Sequence, residues 1–92
     1  MPLQNITENI VLLNRPPDSH MYDCNYFLVR GEKPVLIDCG CGKAHDMLQK
    51  NLSKAGCAAG DISCLIGTHC HYDHVGGLEK LREENPDLIL IV

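Results

Sequence analysis

Six consecutive residues constrain this chain more than any others: His69-Cys70-His71-Tyr72-Asp73-His74 holds three of its five histidines and an aspartate. Imidazole nitrogen and carboxylate oxygen suit zinc, iron and manganese, and ligands so close in sequence converge with little loop-closure cost. If the segment leaves Cys64-Leu65-Ile66 extended, a period of two puts His69 and His71 on one side, to share one ion, with Cys70 pointing away. If the backbone then turns helical near Asp73, Asp73 and His74 diverge by about a hundred degrees and address a second, adjacent position. Gly76 and Gly77 then let the backbone pass close beneath the ions. The bland alternative, surface histidines on a polar loop, does not explain four ligand-type residues in one such window.

The flanking sequence reads as alternating strands and helices. Asn9-Ile10-Val11-Leu12-Leu13 is a short apolar run with the look of an early strand, ended by Arg15-Pro16-Pro17-Asp18-Ser19, a loop that also carries His20. Residues 25–29 and 34–38 form β-branched and aromatic runs around Arg30-Gly31-Glu32-Lys33, the pattern of an antiparallel hairpin. From Lys43 to Ala55, Ala44, Met47, Leu48, Leu52 and Ala55 recur at helical spacing, and Gly56 stops the helix. Asp46 near its start and Lys50 and Lys54 near its end complement the helix dipole, with His45 on the polar face. Cys64-Leu65-Ile66-Gly67 is too brief for a helix and suits a buried parallel strand. Val75, Leu78 and Leu81 mark a second helix ended by Asn85-Pro86, and residues 87–92 read as a last strand.

The decapeptide from Thr68 to Gly77 resembles the signature of the metallo-β-lactamase superfamily, H-x-H-x-D-H followed by a glycine pair, at every specified position. Asp38-Cys39-Gly40 likewise resembles the Asp-x-Gly that closes a strand before that family's first helix. The resemblance implies an α/β (α+β) fold, the αββα sandwich. Such domains are longer and built from two similar halves, so residues 1–92 are expected to be a partial domain, the first half only. It also implies that His69 and His71 hold one metal while Asp73 and His74 hold a second. Asp73 would in addition be the catalytic residue that orients or deprotonates the attacking water, and Asp38 would support the metal loop from behind. On its own residues, Asp38 reads equally well as an aspartate capping a turn. The expected cofactor is zinc, two ions in a complete site, with iron or manganese as further candidates. The expected reaction is hydrolysis of an ester, thioester or similar bond in a small-molecule substrate. In the family, a further histidine, a bridging aspartate and a last histidine follow the motif. Here no histidine follows His74, and Asp87 lies too near the motif to serve as the bridge. The chain is therefore expected to be a fragment that lacks the rest of the site.

Two other readings remain. Cys39 and Cys41 could join His69 and His71 in a closed structural zinc module, although C-x-C is tighter than the usual spacing and leaves Asp73 and His74 unexplained. An iron-dependent redox or oxygenase branch of the same superfamily fits His69, His71 and Asp73 as two histidines and a carboxylate.

Composition sets the outer limits. At 92 residues, 45% hydrophobic and 22% charged, the chain is ordinary globular material for one domain at most. A net charge of −4 without a Lys/Arg cluster gives no footprint for nucleic acid. No apolar stretch of about twenty residues and no signal-like start occurs, so no membrane partner and a cytoplasmic location are expected. Six cysteines then read as reduced thiols. An apolar final strand leaves an edge open to pairing, which allows a homo-oligomer.

Overall fold

Leucines spaced for one sheet face decide how this chain packs. The computed structural model describes residues 3–14, 24–68 and 71–92, and of Tyr72 and Asp73 the backbone alone. Six strands run in spatial order β1 (Gln4–Asn5), β2 (Ile10–Asn14), β3 (Tyr26–Val29), β4 (Val35–Ile37), β5 (Cys64–Ile66) and β6 (Ile89–Ile91). Neighbours from β1 to β4 are antiparallel, whereas β4, β5 and β6 are parallel. Parallel neighbours need crossovers. Helix α1 (His45–Lys54) supplies the first, and α2 (Tyr72–Val75) with α3 (Leu78–Glu84) the second. The mixed sheet with its helices is the α+β fold expected from the sequence.

Register lines up Val11, Leu28, Leu36, Leu65 and Leu90 across five strands. The first four of these are wholly buried, and Leu48 and Leu52 of α1, Leu81 of α3, Ile62 and Leu88 complete the same core. Full burial of each such side chain contributes about 1.5–3 kcal/mol. The alternate positions form a second apolar row, Phe27, Ile37, Ile66 and Ile91, whose members range from half-buried to exposed.

Local chemistry fixes the helices to this sheet. The register of β2 against β3 shifts between Leu12 and Asn14, and the carbonyl of Leu13 accepts from Asn51 Nδ2 of α1 at 2.9 Å. Helix α1 ends as Gly56 predicts. With φ at +82°, the Gly56 amide donates to Ser53 and the Cys57 amide to Leu52, a Schellman closure. His45 departs from the expected solvated position: its side chain is only 11% exposed, and Nε2 lies 2.9 Å from Glu84 Oε1. Gln49 donates to the same carboxylate oxygen, so α1 and α3 are tied together.

The second helical segment is split rather than continuous, breaking at Gly76-Gly77. The two-residue strand β1 and a 3-10 turn at Ala59–Asp61 were not foreseen. No disulfide joins any two of the described cysteines. No helix among the described residues is long and apolar enough to cross a membrane.

Candidate metal centre

The site lies where two parallel strands end, the usual location of sites in α/β sheets. Asp38 follows β4 directly, and its amide still donates to the Ile66 carbonyl of β5 at 2.9 Å. The chain then turns sharply, and Asp38 adopts φ +61°, the left-handed region. Aspartate tolerates that region better than most residues, at a cost of about 1–2 kcal/mol. Three hydrogen bonds to its side chain hold it there. The Thr68 amide donates to Oδ1 at 2.9 Å, the Thr68 hydroxyl to Oδ2 at 2.8 Å, and His74 Nδ1 lies 2.9 Å from Oδ2. Asp38 thus supports the metal loop from behind, gathering the residue before His69 and the last histidine of the motif.

These contacts also fix the tautomer of His74. A carboxylate accepts only, and the Thr68 hydroxyl has a single hydrogen, already given to Asp38. The hydrogen between Asp38 and His74 therefore sits on Nδ1, and the Thr68 oxygen, 3.2 Å away, can share it as a second acceptor. In this tautomer the ring lone pair belongs to Nε2. A carboxylate behind a histidine in this manner orients metal-binding imidazoles and raises their basicity.

Backbone contacts lock the motif onto the loop after β4. The Cys39 amide donates to the His74 carbonyl at 2.8 Å, and the Gly77 amide to the Gly40 carbonyl at 3.0 Å. This close approach explains Gly77, where a Cβ would lie 3.0 Å from the Cys39 carbonyl oxygen. Its smallness is needed against the neighbouring loop, whereas the sequence had suggested room beneath the ions. The amides of His74 and Val75 donate to the His71 carbonyl, opening α2 where the sequence placed a turn into helix.

Of the motif residues, His71 is exposed and His74 half-buried. His69 and Cys70 lie outside the described residues, as does His20, and the side chain of Asp73 is likewise not described. Cys39 and Cys41 are both buried, and the closed Cys2His2 module that would join them to His71 also needs His69, which lies outside the described residues. Among the described residues, one set of metal-ligand types converges. Cys24, Asp38 and His74 each offer an atom, all within 4.8 Å of one another. Nothing local in the sequence singles out Cys24, which reaches the site only because β3 lies beside β4.

A motif of this composition, at the ends of parallel strands and braced by an aspartate, defines a metal-binding α+β domain. The model of the metallo-beta-lactamase superfamily matches residues 22–92, and the chain belongs to that superfamily. It is 40% identical over 63 residues to a probable metallo-hydrolase of Methanocaldococcus jannaschii, covering 68% of this chain and 29% of that protein. It is 36% identical over 67 residues to a flavo-diiron protein of Clostridium acetobutylicum, covering 73% of this chain and 16% of that one. In structure it matches BJP-1, a subclass B3 metallo-β-lactamase of Bradyrhizobium japonicum, with a TM-score of 0.81 at 21% identity, over 98% of this chain and 32% of that one. The chain therefore spans less than a third of the length of these relatives.

Proposed function

We propose that this chain carries the motif half of a metal-dependent hydrolase site acting on an ester, thioester or similar bond of a small molecule. His69 and His71 are assigned to one ion, and Asp73 and His74 to the other. The observation that carries this reading is the Asp38–His74 contact, which holds the last motif histidine through Nδ1. The donor set of imidazoles and a carboxylate fits zinc, and equally manganese or iron. Bound there, such ions would acidify a water and stabilise charge on the group attacked. Asp38 and Thr68 hold His74 in one orientation and, while its Nδ1 hydrogen bond to Asp38 stands, in one tautomer. Asp73 is the residue assigned to orient the water and to receive its proton.

Four motif residues shared between two ions give each ion two ligands, while catalytic zinc sites use three. The 92 residues are therefore expected to bind metal loosely and to turn over an activated thioester slowly or not at all. Zinc calorimetry on the wild type and on a His69→Ala/His71→Ala variant tests the assignment. The double variant should lose at least about tenfold in affinity, and an unchanged isotherm would overturn the reading.

An iron-dependent redox role is the second reading, favoured by the likeness to a flavo-diiron protein. Purification from iron-supplemented cells, followed by metal analysis, separates the two: iron retained in preference to zinc supports the redox role.

A further inference from the structure

The inner side of His74 carries chemistry that the hydrolase reading does not use. Cys24 is buried at 7% exposure and Asp38 at 4%, and Asp38 faces the Nδ1 edge of an imidazole whose side chain is 19% exposed. Sulfur, carboxylate oxygen and imidazole nitrogen converge within 4.8 Å from three parts of the chain, the segment just before β3, the residue just after β4 and helix α2. An aspartate bracing a histidine needs no thiol beside it. A thiol, a carboxylate and an imidazole together are a ligand set for a thiophilic cation.

We propose that Cys24 Sγ, Asp38 and His74 Nδ1 form an inner cation site, distinct from the outward motif pair and selective for thiophilic ions such as zinc, cobalt or cadmium. On binding, the Cys24 thiol releases its proton to solvent and the thiolate takes the ion. His74 gives up its Nδ1 hydrogen and gains one at Nε2, so the imidazole stays neutral. Asp38 exchanges the His74 hydrogen bond for the ion while keeping both hydrogen bonds from Thr68. The three atoms lie within 4.8 Å of one another, and closing of the loop around the ion brings them to bond lengths of about 2.0–2.3 Å.

One imidazole then serves two sites in alternation. With the inner site filled, Nε2 carries a hydrogen and cannot bind an outer ion. A thiophilic cation would thereby withdraw His74 from the motif, whereas manganese, which avoids thiolate, would leave it there. This competition rests on the assignment of His74 to the outer pair; the inner site itself does not.

Cobalt(II) titration followed by absorption tests the proposal, because a cobalt–thiolate bond gives a charge-transfer band in the near ultraviolet. The band should appear in the wild type, persist in His69→Ala/His71→Ala, and be lost in Cys24→Ser, with Cys57→Ser as a control that retains it. Absence of the band in the wild type, its survival in Cys24→Ser, or its loss in the histidine double variant would each overturn the inner site. If Cys24→Ser fails to fold, X-ray absorption on the zinc-loaded wild type decides instead. A sulfur shell at about 2.3 Å must be present, and a shell of nitrogen and oxygen alone would refute the site. Manganese binding that proves indifferent to saturating cadmium would overturn the competition and leave the hydrolase reading untouched.

Discussion

At the scale of the residue, Asp38 carries the most consequence. A single carboxylate absorbs three donors and fixes which nitrogen His74 presents. Asp38→Asn keeps the shape and the tolerance of positive φ, but places an amide donor where Thr68 and His74 also donate. Manganese affinity should fall by about 10–100-fold, measured by calorimetry. Nitrogen NMR of the imidazole should at the same time show His74 leaving the Nδ1–H form; an unchanged tautomer would refute the positioning role. Cys57 offers a pH prediction. Burial first, and the nearby Asp61 carboxylate second, push its thiol up. A raised value favours the neutral thiol in the fold, so its contribution to stability is complete below the unfolded value of about 8.5 and is lost as pH rises through the folded one. The stability difference between wild type and Cys57→Ala should therefore narrow as pH rises above about 8.5, read from urea midpoints; a constant difference would refute it.

At the scale of the element, periodicity made much of the fold legible. Alternation gave the β3–β4 hairpin, the brief apolar run gave the buried parallel strand β5, and the leucine spacing with Gly56 gave α1 and its end. Each of these signals is local. What escaped is fixed by partners distant in sequence. His45 looks solvated on a helical wheel, and only the arrival of Glu84 from α3 makes it a clasp. Strand β1 is two exposed polar residues that pair with Leu12 and Val11 and carry no pattern of their own. In the candidate site, spacing singled out the motif residues and resemblance anticipated the contacts of Asp38 with Thr68 and His74, but Cys24 was invisible because no spacing connects it to His74. Gly77 joins the element scale to the site. In Gly77→Ala the new methyl meets the Cys39 carbonyl at 3.0 Å, and neither backbone can yield without opening the clamp between the loop after β4 and α2. Destabilisation of about 1–3 kcal/mol is expected from urea unfolding. Gly60→Ala, whose Cβ would make an ordinary 3.7 Å contact, should stay within about 0.5 kcal/mol of wild type. Equal effects at both positions would remove the steric argument.

At the scale of the whole molecule, the two faces of the sheet are unequal. One is closed by α1 and α3 over a leucine core. The other presents Val29, Val35, Cys64 and Ile89 in one row and Phe27, Ile37, Ile66 and Ile91 in the next, without a charged residue among them. Such continuity on both faces suits a sheet packed on both sides. The exposed apolar side chains concentrate at β6, with Ile89 at 59%, Ile91 at 51% and Val92 at 69%. Strand β6 is also the last of the sheet, so its outer backbone groups have no strand beside them among the described residues. Apolar side chains on an edge strand are a template for pairing between chains, because hydrogen bonds and burial are then gained together. The 92 residues should consequently self-associate in a concentration-dependent manner, visible in sedimentation velocity. Ile89→Lys/Ile91→Lys should shift the distribution toward monomer. Neither side chain enters the buried core, so the melting midpoint should move by only a few degrees, the scale of about 1 kcal/mol in a domain this size. A wild type that sediments as a single monomeric species at all concentrations would show that this edge is not sticky. Association that survives the lysines would place the contact elsewhere.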